Sequence, residues 1–429
     1  MPAGSSRELE DSGRSRISEA SFVSGRFIAV DDLMVYASIL TRPTGIQRVG
    51  YNLAQALVEE CGYQTVRVSG PAVRSASLGR PGTSTRLTRL AEMALSAAAR
   101  LPGSIQQRLR AAGPAVIRRL RISESGAPVS VERDDWIIVL GAPWIAEGMT
   151  EGLLRLQRDH GVKISLLVHD LLPITAQQWF RGRVAVEAQH QVGTLIDRAN
   201  LLTTVSTEVA SEIRRLYGRE ATVVNPADPV LRPGNGSRRA QVNPVKYVLT
   251  VGTMHPRKNL AALVRIWDRW LGDVELEGRS DESVPELLVV GRRHPDDHDL
   301  RVEFATRRRA ARKIRLLHTV SDHALGEIYE NCRFVVMPSF AEGWGLPVRE
   351  AFMHRKGVIA TDGIPAAAGM PGAAVVSAND EEALYTTIRS WWESDEPELR
   401  AELIGHTFVP RNWAVVAAEL DRAVADYAR

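Results

Sequence analysis

The stretch FVVMPSFAEGWGLPVREAF, residues 334–352, decides the fold class of this chain. Its first four residues are apolar and predict a buried strand. A loop with two glycines, Gly343 and Gly345, follows the strand. A helix then begins around Leu346 or Pro347, where proline is tolerated because its missing N–H has no intrahelical partner. A strand, a loop and a helix in this order form the repeating unit of parallel α/β sheets.

The same alternation of short apolar runs and longer helical patterns extends over most of the chain. The strand candidates of the first half are 27–30, 64–68, 136–140, 164–168, 201–205 and 221–224. Those of the second half are 247–251, 287–290, 314–317, 334–337, 358–360 and 374–376. Two sets of about six strands predict an α/β protein with two doubly wound, Rossmann-like domains.

The predicted domain order begins with a disordered tail over 1–25, rich in Ser, Gly, Arg and Glu. A first domain follows at 26–225, and a Pro-, Gly- and Asn-rich linker at 226–245 separates it from a second domain. The second domain spans 246–410, and 411–429 form an amphipathic helix. Because ligands of doubly wound folds bind outside the carboxyl ends of the strands, we expect the site in a cleft between the two domains.

The loop after the strand at 334–337 has the features of a phosphate site. A glycine-containing loop at a helix N-terminus presents free N–H groups and the positive end of the helix dipole to an anion, and this needs no metal. Glu350, one turn into the helix, can direct its carboxylate to the vicinal hydroxyls of a ribose, while Glu342 lies in the loop. Two carboxylates that flank an amide-lined turn suit a phosphate with a sugar on either side.

The residues EGWGLPVRE, 342–350, resemble the two-glutamate signature of the family-4 retaining glycosyltransferases, which have the GT-B fold and use nucleotide-diphosphate sugars. The resemblance implies that Glu350 holds the nucleotide ribose and that Glu342 addresses the transferred sugar. It assigns the diphosphate and sugar contacts to Gly343, Trp344, Gly345 and Leu346. It also implies that the helix at 411–429 crosses back to the first domain, with Trp413 at the crossing.

A second resemblance lies in VLTVGTMHPRKNL, residues 248–260, which is similar to the first strand of that family's donor domain and the loop after it. Lys258, six residues after Gly252, stands where the family places a phosphate-binding lysine. The usual arginine position, directly after the glycine, is Thr253 here, and the arginine candidate is Arg257. The sequence leaves open whether Arg257 takes over that role. A merely structural role in a helix start is the weaker alternative, because the helix dipole disfavours cations there.

Two further loops of the second domain follow from the same resemblance. The segment LLHTVSDHALGEIY, residues 316–329, is similar to the one that shapes the nucleotide-base pocket. We expect the backbone around Thr319 and Val320 to contact the base and Ser321 to cap the next helix. Arg292 follows another predicted strand and is an additional candidate for binding phosphate.

The first domain contributes two candidate loops. Gly45 opens a helix and corresponds to a family glycine that lets the backbone approach the donor phosphate. Arg48, in the first turn of that helix, either reaches the cleft or forms a structural ion pair. The segment LLVHDLLPI, 166–174, resembles one of bacterial polysaccharide mannosyltransferases and places His169 and Asp170 at a strand end. The resemblance implies that His169 hydrogen-bonds the donor sugar or phosphate and that Asp170 orients the histidine or engages the acceptor hydroxyl.

These residues together predict a retaining, metal-independent hexosyltransferase of bacterial surface polysaccharide synthesis. The co-substrate is a nucleotide-diphosphate sugar, no cofactor is expected, and the acceptor is a hydroxyl of a glycan or lipid-linked oligosaccharide. The HDLLP and PRKN variants favour GDP-mannose and a mannosyl unit, with UDP- and dTDP-sugars open. His294 and His298 are predicted to lie in an exposed loop without a metal.

Two other functional classes compete with this prediction. One is a GT-B sugar-nucleotide epimerase or phosphorylase, and the other is an inactive glycan-binding scaffold subunit. The intact Glu342, Glu350 and Lys258 argue against the scaffold. Product analysis with the donor alone separates the first class from a transferase, which hydrolyses its donor only slowly without an acceptor.

The net charge of +3 conceals a strongly basic segment. Between Arg67 and Arg121, eleven arginines stand against one acid, Glu92, so this segment carries +10 and the remaining chain −7. We predict a basic helical insertion at about 70–131 that either packs on the first domain or faces anionic lipid head groups. Aromatic residues that could stack on bases are not interleaved there, so nucleic acid is not an expected partner.

The cellular location follows from two further features of the sequence. The two cysteines are far apart and suit a reducing compartment. No apolar run approaches the ~20 residues that a membrane-spanning helix needs. The prediction is therefore a cytoplasmic protein, either free or peripheral on the inner face of the cytoplasmic membrane.

Overall fold

The computed structural model describes residues 25–39, 45–78, 126–180, 183–229, 247–294, 296–318 and 320–428. These residues form two sheets of mainly parallel strands, each covered by helices on both faces. The strands of the first sheet are Arg26–Ala29 (β1), Gln64–Arg67 (β2), Arg74–Ser75 (β3), Trp136–Val139 (β4), Lys163–Val168 (β5), Leu201–Thr204 (β6) and Thr222–Val223 (β7). Those of the second sheet are Val248–Val251 (β8), Leu287–Val290 (β9), Ile314–Leu317 (β10), Phe334–Met337 (β11), Val358–Thr361 (β12) and Ala373–Val376 (β13).

Helices connect the strands and cover both sheets. Those of the first half are Asp31–Ile39 (α1), Gly45–Cys61 (α2), Met149–His160 (α3), Leu172–Thr175 (α4), Arg183–Arg198 (α5) and Thr207–Tyr217 (α6). Those of the second half are Leu260–Leu276 (α7), His298–Thr306 (α8), Arg308–Lys313 (α9), Asp322–Asn331 (α10), Leu346–Met353 (α11), Glu381–Glu393 (α12), Glu396–Thr407 (α13) and Trp413–Ala428 (α14). Among these helices, none combines the length and the apolar composition that a bilayer crossing needs.

The strand order confirms the α/β, doubly wound fold class. The first sheet runs β3-β2-β1-β4-β5-β6-β7 and the second β10-β9-β8-β11-β12-β13. Each of the twelve predicted strands is present, and its ends lie within one residue of the prediction. The central strands β4 and β11 are buried at every position, because helices cover both faces of a parallel sheet. A continuous apolar run is therefore a dependable strand signal in this chain.

One strand was not predicted, and it corrects the bounds of the basic insertion. Strand β3 pairs antiparallel with β2 at the edge of the first sheet, and Arg74 also bridges to Pro128. Val73 and Val131 are buried in the core of the first domain. Within the predicted insertion, 70–131, residues Arg74, Ser75 and Pro128 thus belong to the sheet edge. The two basic helices predicted inside it, at 84–101 and 104–122, lie outside the described residues.

Other predictions fall partly or wholly on residues that the structure leaves undescribed. The tail at 1–24 is among them, and so is most of the linker, at 230–246. Residues 226–229, the described start of the linker, lead away from the end of the first sheet.

A buried ion pair joins the two domains where the linker leaves the first domain. Asp228 is fully buried and accepts two hydrogen bonds from the guanidinium of Arg349, at 2.5 and 2.9 Å. The same carboxylate accepts a third from the backbone N–H of Arg411, at 2.7 Å. This contact joins α11 of the second domain to both segments that pass between the domains, the start of the linker and the residues just before α14.

The C-terminal helix, α14, packs on the first domain. Its apolar face, which includes Val416, Leu420 and Val424, is buried in the core of that domain. Trp413, at its start, packs against the same core. An ion pair of 2.5 Å between Arg26 and Asp421 adds a polar contact at the edge of this interface.

Candidate functional site

The carboxyl ends of both sheets face one cleft of about 730 Å³. The loops after β4 and β5 line its first-domain wall, and those after β8, β9 and β11 line the opposite wall. The described residues that were predicted as site residues all line it: Gly45, His169, Asp170, Gly252, Arg257, Lys258, Arg292, Val320, Glu342, Gly343, Trp344, Gly345, Leu346 and Glu350. Thr319 lies outside the described residues.

Glu342 forms the centre of a buried charge cluster. Its carboxylate accepts a hydrogen bond of 2.6 Å from Arg257 and another from Lys258 Nζ. The Glu342 side chain is 8% exposed. Although burial opposes ionisation, the two cations lower the pKa of Glu342 to about 2. The carboxylate is therefore charged at neutral pH, and it offsets one of the two positive charges expected to bind a diphosphate.

The sequence between β8 and α7 explains how both cations reach the cleft. The chain forms a 3-10 turn, Pro256–Lys258, before α7 begins at Leu260. Arg257 and Lys258 therefore project from a turn rather than from the helix. The guanidinium of Arg257 also donates to the carbonyl of Ala341, at 3.0 Å, which attaches this turn to the Glu342 loop. Burial lowers the pKa of Lys258, and the Glu342 carboxylate opposes that effect.

The glycines of the Glu342 loop allow close contacts that any side chain would prevent. A Cβ on Gly343 would lie 2.0 Å from the carbonyl oxygen of His169 in the first domain. Gly345 has φ of +109°, and a Cβ there would lie 2.4 Å from Ile364. The loop that leads into α11 therefore lies against the loop after β5, and the first residues of α11 line the cleft.

The Glu350 carboxylate accepts hydrogen bonds from both domains. It is 2% exposed, and its Oε1 accepts a hydrogen bond of 2.6 Å from Arg48 of the first domain. Its Oε2 accepts one of 2.8 Å from the hydroxyl of Tyr329. Both roles open for Arg48 are observed, since it lines the cleft and its ion pair with Glu350 joins the two domains. A ribose that binds Glu350 has to share this carboxylate with Arg48.

His169 and Asp170 lie at the end of β5, and each side chain forms a hydrogen bond with the backbone. The Nε2 of His169 lies 2.8 Å from the carbonyl oxygen of Leu140, so it carries the proton and Nδ1 is the acceptor. Burial lowers the pKa of His169, which keeps the ring neutral. Asp170 accepts from the backbone N–H of Leu172 at the start of α4, and burial raises its pKa against the opposing charge of Arg257.

The remaining predicted residues lie around these groups. Gly45, at the start of α2, approaches Leu346 at the start of α11, so two helix N-termini meet across the cleft. Gly252 packs on the aliphatic part of Lys258, and Arg292 is exposed at the cleft wall. The capping role of Ser321 is confirmed, since its hydroxyl accepts from Ala324 N at 3.0 Å.

Sequence reasoning missed an aromatic seam between the domains. Trp179 stacks on Phe340, with ring centroids 5.4 Å apart, and Phe180 packs on His255 at 5.1 Å. His294 lies in a loop as predicted, but it is only partly exposed, and its ring packs on His255 at 4.4 Å and lines the cleft. Partners so distant in sequence produce no local signal. His298 is exposed as predicted, but it begins helix α8.

The seam histidine at the centre of these contacts is uncharged at neutral pH. Burial, assisted by the nearby His294 and by the positive charges of Arg257 and Lys258, lowers the pKa of His255 to about 4. A neutral ring packs on Phe180 without a desolvated charge. Over the described ranges, no group of three or more His, Cys, Asp or Glu side chains is placed to hold a metal ion.

Comparisons with known proteins agree with this geometry. Residues 245–394 match the family model described as glycosyl transferases group 1, so the second domain is a glycosyl transferases group 1 domain. A serotype-specific mannosyltransferase, WbdA of Escherichia coli, is 26% identical over 262 residues, 55% of this chain and 30% of that protein. O-antigen chain mannosyltransferase B of the same organism is 29% identical over 248 residues, 53% of this chain and 60% of that protein. The matched region thus spans less than two thirds of each of these relatives.

Two solved structures share the fold over most of the chain. Sucrose-phosphate synthase from Thermosynechococcus elongatus has a TM-score of 0.58 at 15% identity and covers 92% of this chain and 97% of its own. Anabaena HepE, in complex with UDP and glucose, has a TM-score of 0.57 at 12% identity and covers 93% and 98%. The architecture is the GT-B fold, as the sequence predicted.

Proposed function

We propose that this chain transfers a hexosyl unit, in particular a mannosyl unit, from a nucleotide-diphosphate sugar to a hydroxyl of a glycan. The configuration at the anomeric carbon is retained, and no metal takes part. The observation that carries the proposal is the buried cluster of Arg257, Lys258 and Glu342 beside the N-terminus of α11. The mannosyltransferase relatives support the mannosyl unit. GDP-mannose is the favoured donor because of the HDLLP and PRKN variants of the sequence.

The cations and the helix N-terminus suit the departure of a diphosphate. As the bond between the sugar C1 and the β-phosphate oxygen breaks, negative charge grows on the leaving nucleoside diphosphate. Arg257, Lys258 and the start of α11 all line the cleft, where they can stabilise that charge. Because Glu342 binds both cations, the diphosphate has to displace its carboxylate from them. The displaced carboxylate is then free to face the transferred sugar.

The acceptor hydroxyl attacks C1 from the face that the diphosphate leaves. Its oxygen forms the new bond to C1, and its proton passes to the departing phosphate oxygen, so no protein nucleophile is needed. His169 Nδ1 is free to accept a hydrogen bond from a sugar hydroxyl, because Nε2–H is held by the carbonyl of Leu140. The close approach of Gly343 to the carbonyl of His169 brings the two domains together beside the cleft.

Turnover assays on the full chain test this function. GDP-mannose, UDP-glucose and dTDP-glucose are each incubated with α-linked mannotriose, with and without EDTA, and the products are analysed by mass spectrometry and NMR. We expect a tetrasaccharide with a new α-linkage from GDP-mannose, unaffected by EDTA. A β-linked product overturns retention, and loss of activity in EDTA overturns metal independence.

Matched variants connect the activity to the charge cluster. Lys258→Met and Arg257→Met are expected to lower turnover by about a hundredfold or more, as the loss of one group that stabilises transition-state charge does. Arg312→Met is the control, because Arg312 is exposed on α9 of the same domain, away from the cleft. Equal turnover in Lys258→Met and the control contradicts the proposed role of the cluster.

A further inference from the structure

The first-domain wall of the cleft carries an indole that makes no ring contact or hydrogen bond with the described residues. Strand β4 ends at Val139, and the chain turns through Gly141 into a 3-10 turn, Pro143–Ile145. This turn places Trp144 half-buried in the cleft wall. Within the described ranges, no ring contact or hydrogen bond involves the Trp144 side chain. The ring therefore does not serve the fold in the way that the buried tryptophans do.

The turn that carries Trp144 is held in place by a buried carboxylate. Asp32, at the start of α1, is fully buried, and its Oδ2 accepts a hydrogen bond of 2.6 Å from the backbone N–H of Ala142. A Cβ on Gly141 would lie 1.9 Å from the same oxygen, so only glycine fits there. An aromatic ring on a turn fixed in this way loses little freedom when a ligand packs on it.

The two walls of the cleft differ in charge. The second-domain wall presents Arg257, Lys258 and Arg292. Among the described residues of the first-domain wall, Arg48 is the one arginine or lysine, and it is paired with Glu350. A phosphate on an acceptor would therefore find no available cation among the described residues of this wall.

The first-domain wall also carries apolar side chains. Pro143, Pro173 and Val192 line the same wall. A pyranose ring has an apolar face made of C–H groups and a rim of hydroxyls, and its apolar face suits a half-buried indole on a wall that also carries apolar side chains.

We propose that Trp144 binds the acceptor by stacking on the apolar face of an uncharged pyranose, so that the acceptor is a neutral glycan and not a sugar phosphate. This inference rests on the proposed glycosyl transfer. It names the chemical class of the second substrate and the residue that selects it. Asp32 acts through the turn and is a positioning residue.

Binding measurements without a donor test the inference separately from catalysis. The dissociation constant of α-linked mannotriose is measured by NMR titration for the wild type, Trp144→Ala and Trp144→Phe. Calorimetry with GDP on the same proteins reports the donor site. Trp392→Phe is the control, because Trp392 lies on the second domain outside the cleft, where its indole N–H donates to Ser283 O.

The expected result is a rise of about tenfold in the mannotriose dissociation constant for Trp144→Ala, the size of a lost aromatic stacking contact. We expect a smaller rise for Trp144→Phe, no change in the control and no change in GDP affinity. Mannose 6-phosphate should bind more weakly than methyl α-mannoside. Equal mannotriose affinity in the wild type and Trp144→Phe and Trp144→Ala overturns the inference, as does tighter binding of the phosphorylated sugar.

The same experiment distinguishes failure of this inference from failure of the proposed function. If Trp144→Ala loses mannotriose binding and the wild type transfers no sugar from any nucleotide sugar, the acceptor site at Trp144 is supported and the transferase activity is rejected. If the wild type transfers the sugar and the acceptor KM is unchanged in Trp144→Phe and Trp144→Ala, the acceptor site at Trp144 is rejected and the transferase activity is supported.

Discussion

Replacement of Glu342 by glutamine separates the stability of the cleft from its affinity for a diphosphate. The carboxylate is buried and holds both Arg257 and Lys258, and its pKa is lowered from the ordinary 4.5 to about 2. This difference in pKa corresponds to about 3 kcal/mol of folding free energy at pH 7. Loss of one partner from a buried ion pair costs about 3 to 5 kcal/mol, so two independent lines give the same size of effect.

The pH dependence of this loss has a definite sign. A carboxyl group with a lowered pKa in the fold contributes stability that is fully present above pH 4.5 and is lost as the pH falls towards 2. We therefore expect Glu342→Gln to be less stable than the wild type by about 3 kcal/mol at pH 7 and by only about 2 kcal/mol at pH 3.5. Urea unfolding at the two pH values measures both differences. Glu282→Gln is the control, because Glu282 is exposed in the same domain.

The substitution should have the opposite effect on nucleotide binding. Without the competing carboxylate, Arg257 and Lys258 are free for phosphate, so GDP should stabilise Glu342→Gln by a larger increment than it stabilises the wild type. A destabilised protein with damaged packing would show a smaller increment instead. Equal unfolding free energies for wild type and Glu342→Gln at pH 7 would refute the reasoning, because the paired carboxylate would then contribute nothing.

Four further predictions test the other parts of the cleft. Glu350→Gln should weaken GDP binding about tenfold, since the ribose loses a charged acceptor, and equal affinities by calorimetry reject that assignment. Gly343→Ala should lower turnover about tenfold with little change in GDP affinity, because its Cβ would lie 2.0 Å from the His169 carbonyl; an unchanged kcat excludes the contact from catalysis. Asp228→Asn should cost about 3 kcal/mol in urea unfolding, as it leaves its buried arginine partner without a full countercharge. Reversal of the arginines in 79–125 to glutamate should reduce sedimentation with anionic liposomes, and unchanged sedimentation returns this segment to a packing role.

Much of the cleft could be predicted because its signals are local. The apolar run at 334–337, the paired Gly343 and Gly345, and the first-turn proline specify a strand, a tight loop and a helix N-terminus from neighbouring residues alone. Since carboxyl ends of parallel strands meet at one edge, the loops after them had to converge. That is why the predicted site residues that the structure describes all line one cleft.

The missed features depend on contacts between distant segments. Strand β3 is two residues long and pairs at a sheet edge, so it has no periodic pattern of its own. The rings of Trp179 and Phe340 meet only because the two domains close on each other. His294 was assigned to an exposed loop because its neighbours are polar, whereas its own ring packs on a histidine from another loop.

The amino-acid sequence by itself determined the order of strands and helices, the two-domain α/β class and the chemistry of the glycine loop. These depend on apolar periodicity and on backbone geometry within a few residues. Only the tertiary structure decided which charges meet. Arg48 pairs with Glu350 across 302 positions, and Glu342 pairs with two cations from another loop. The first pair depends on how the two sheets are set against each other. The second depends on β8 and β11 being neighbours in one sheet, which brings the loops after them together.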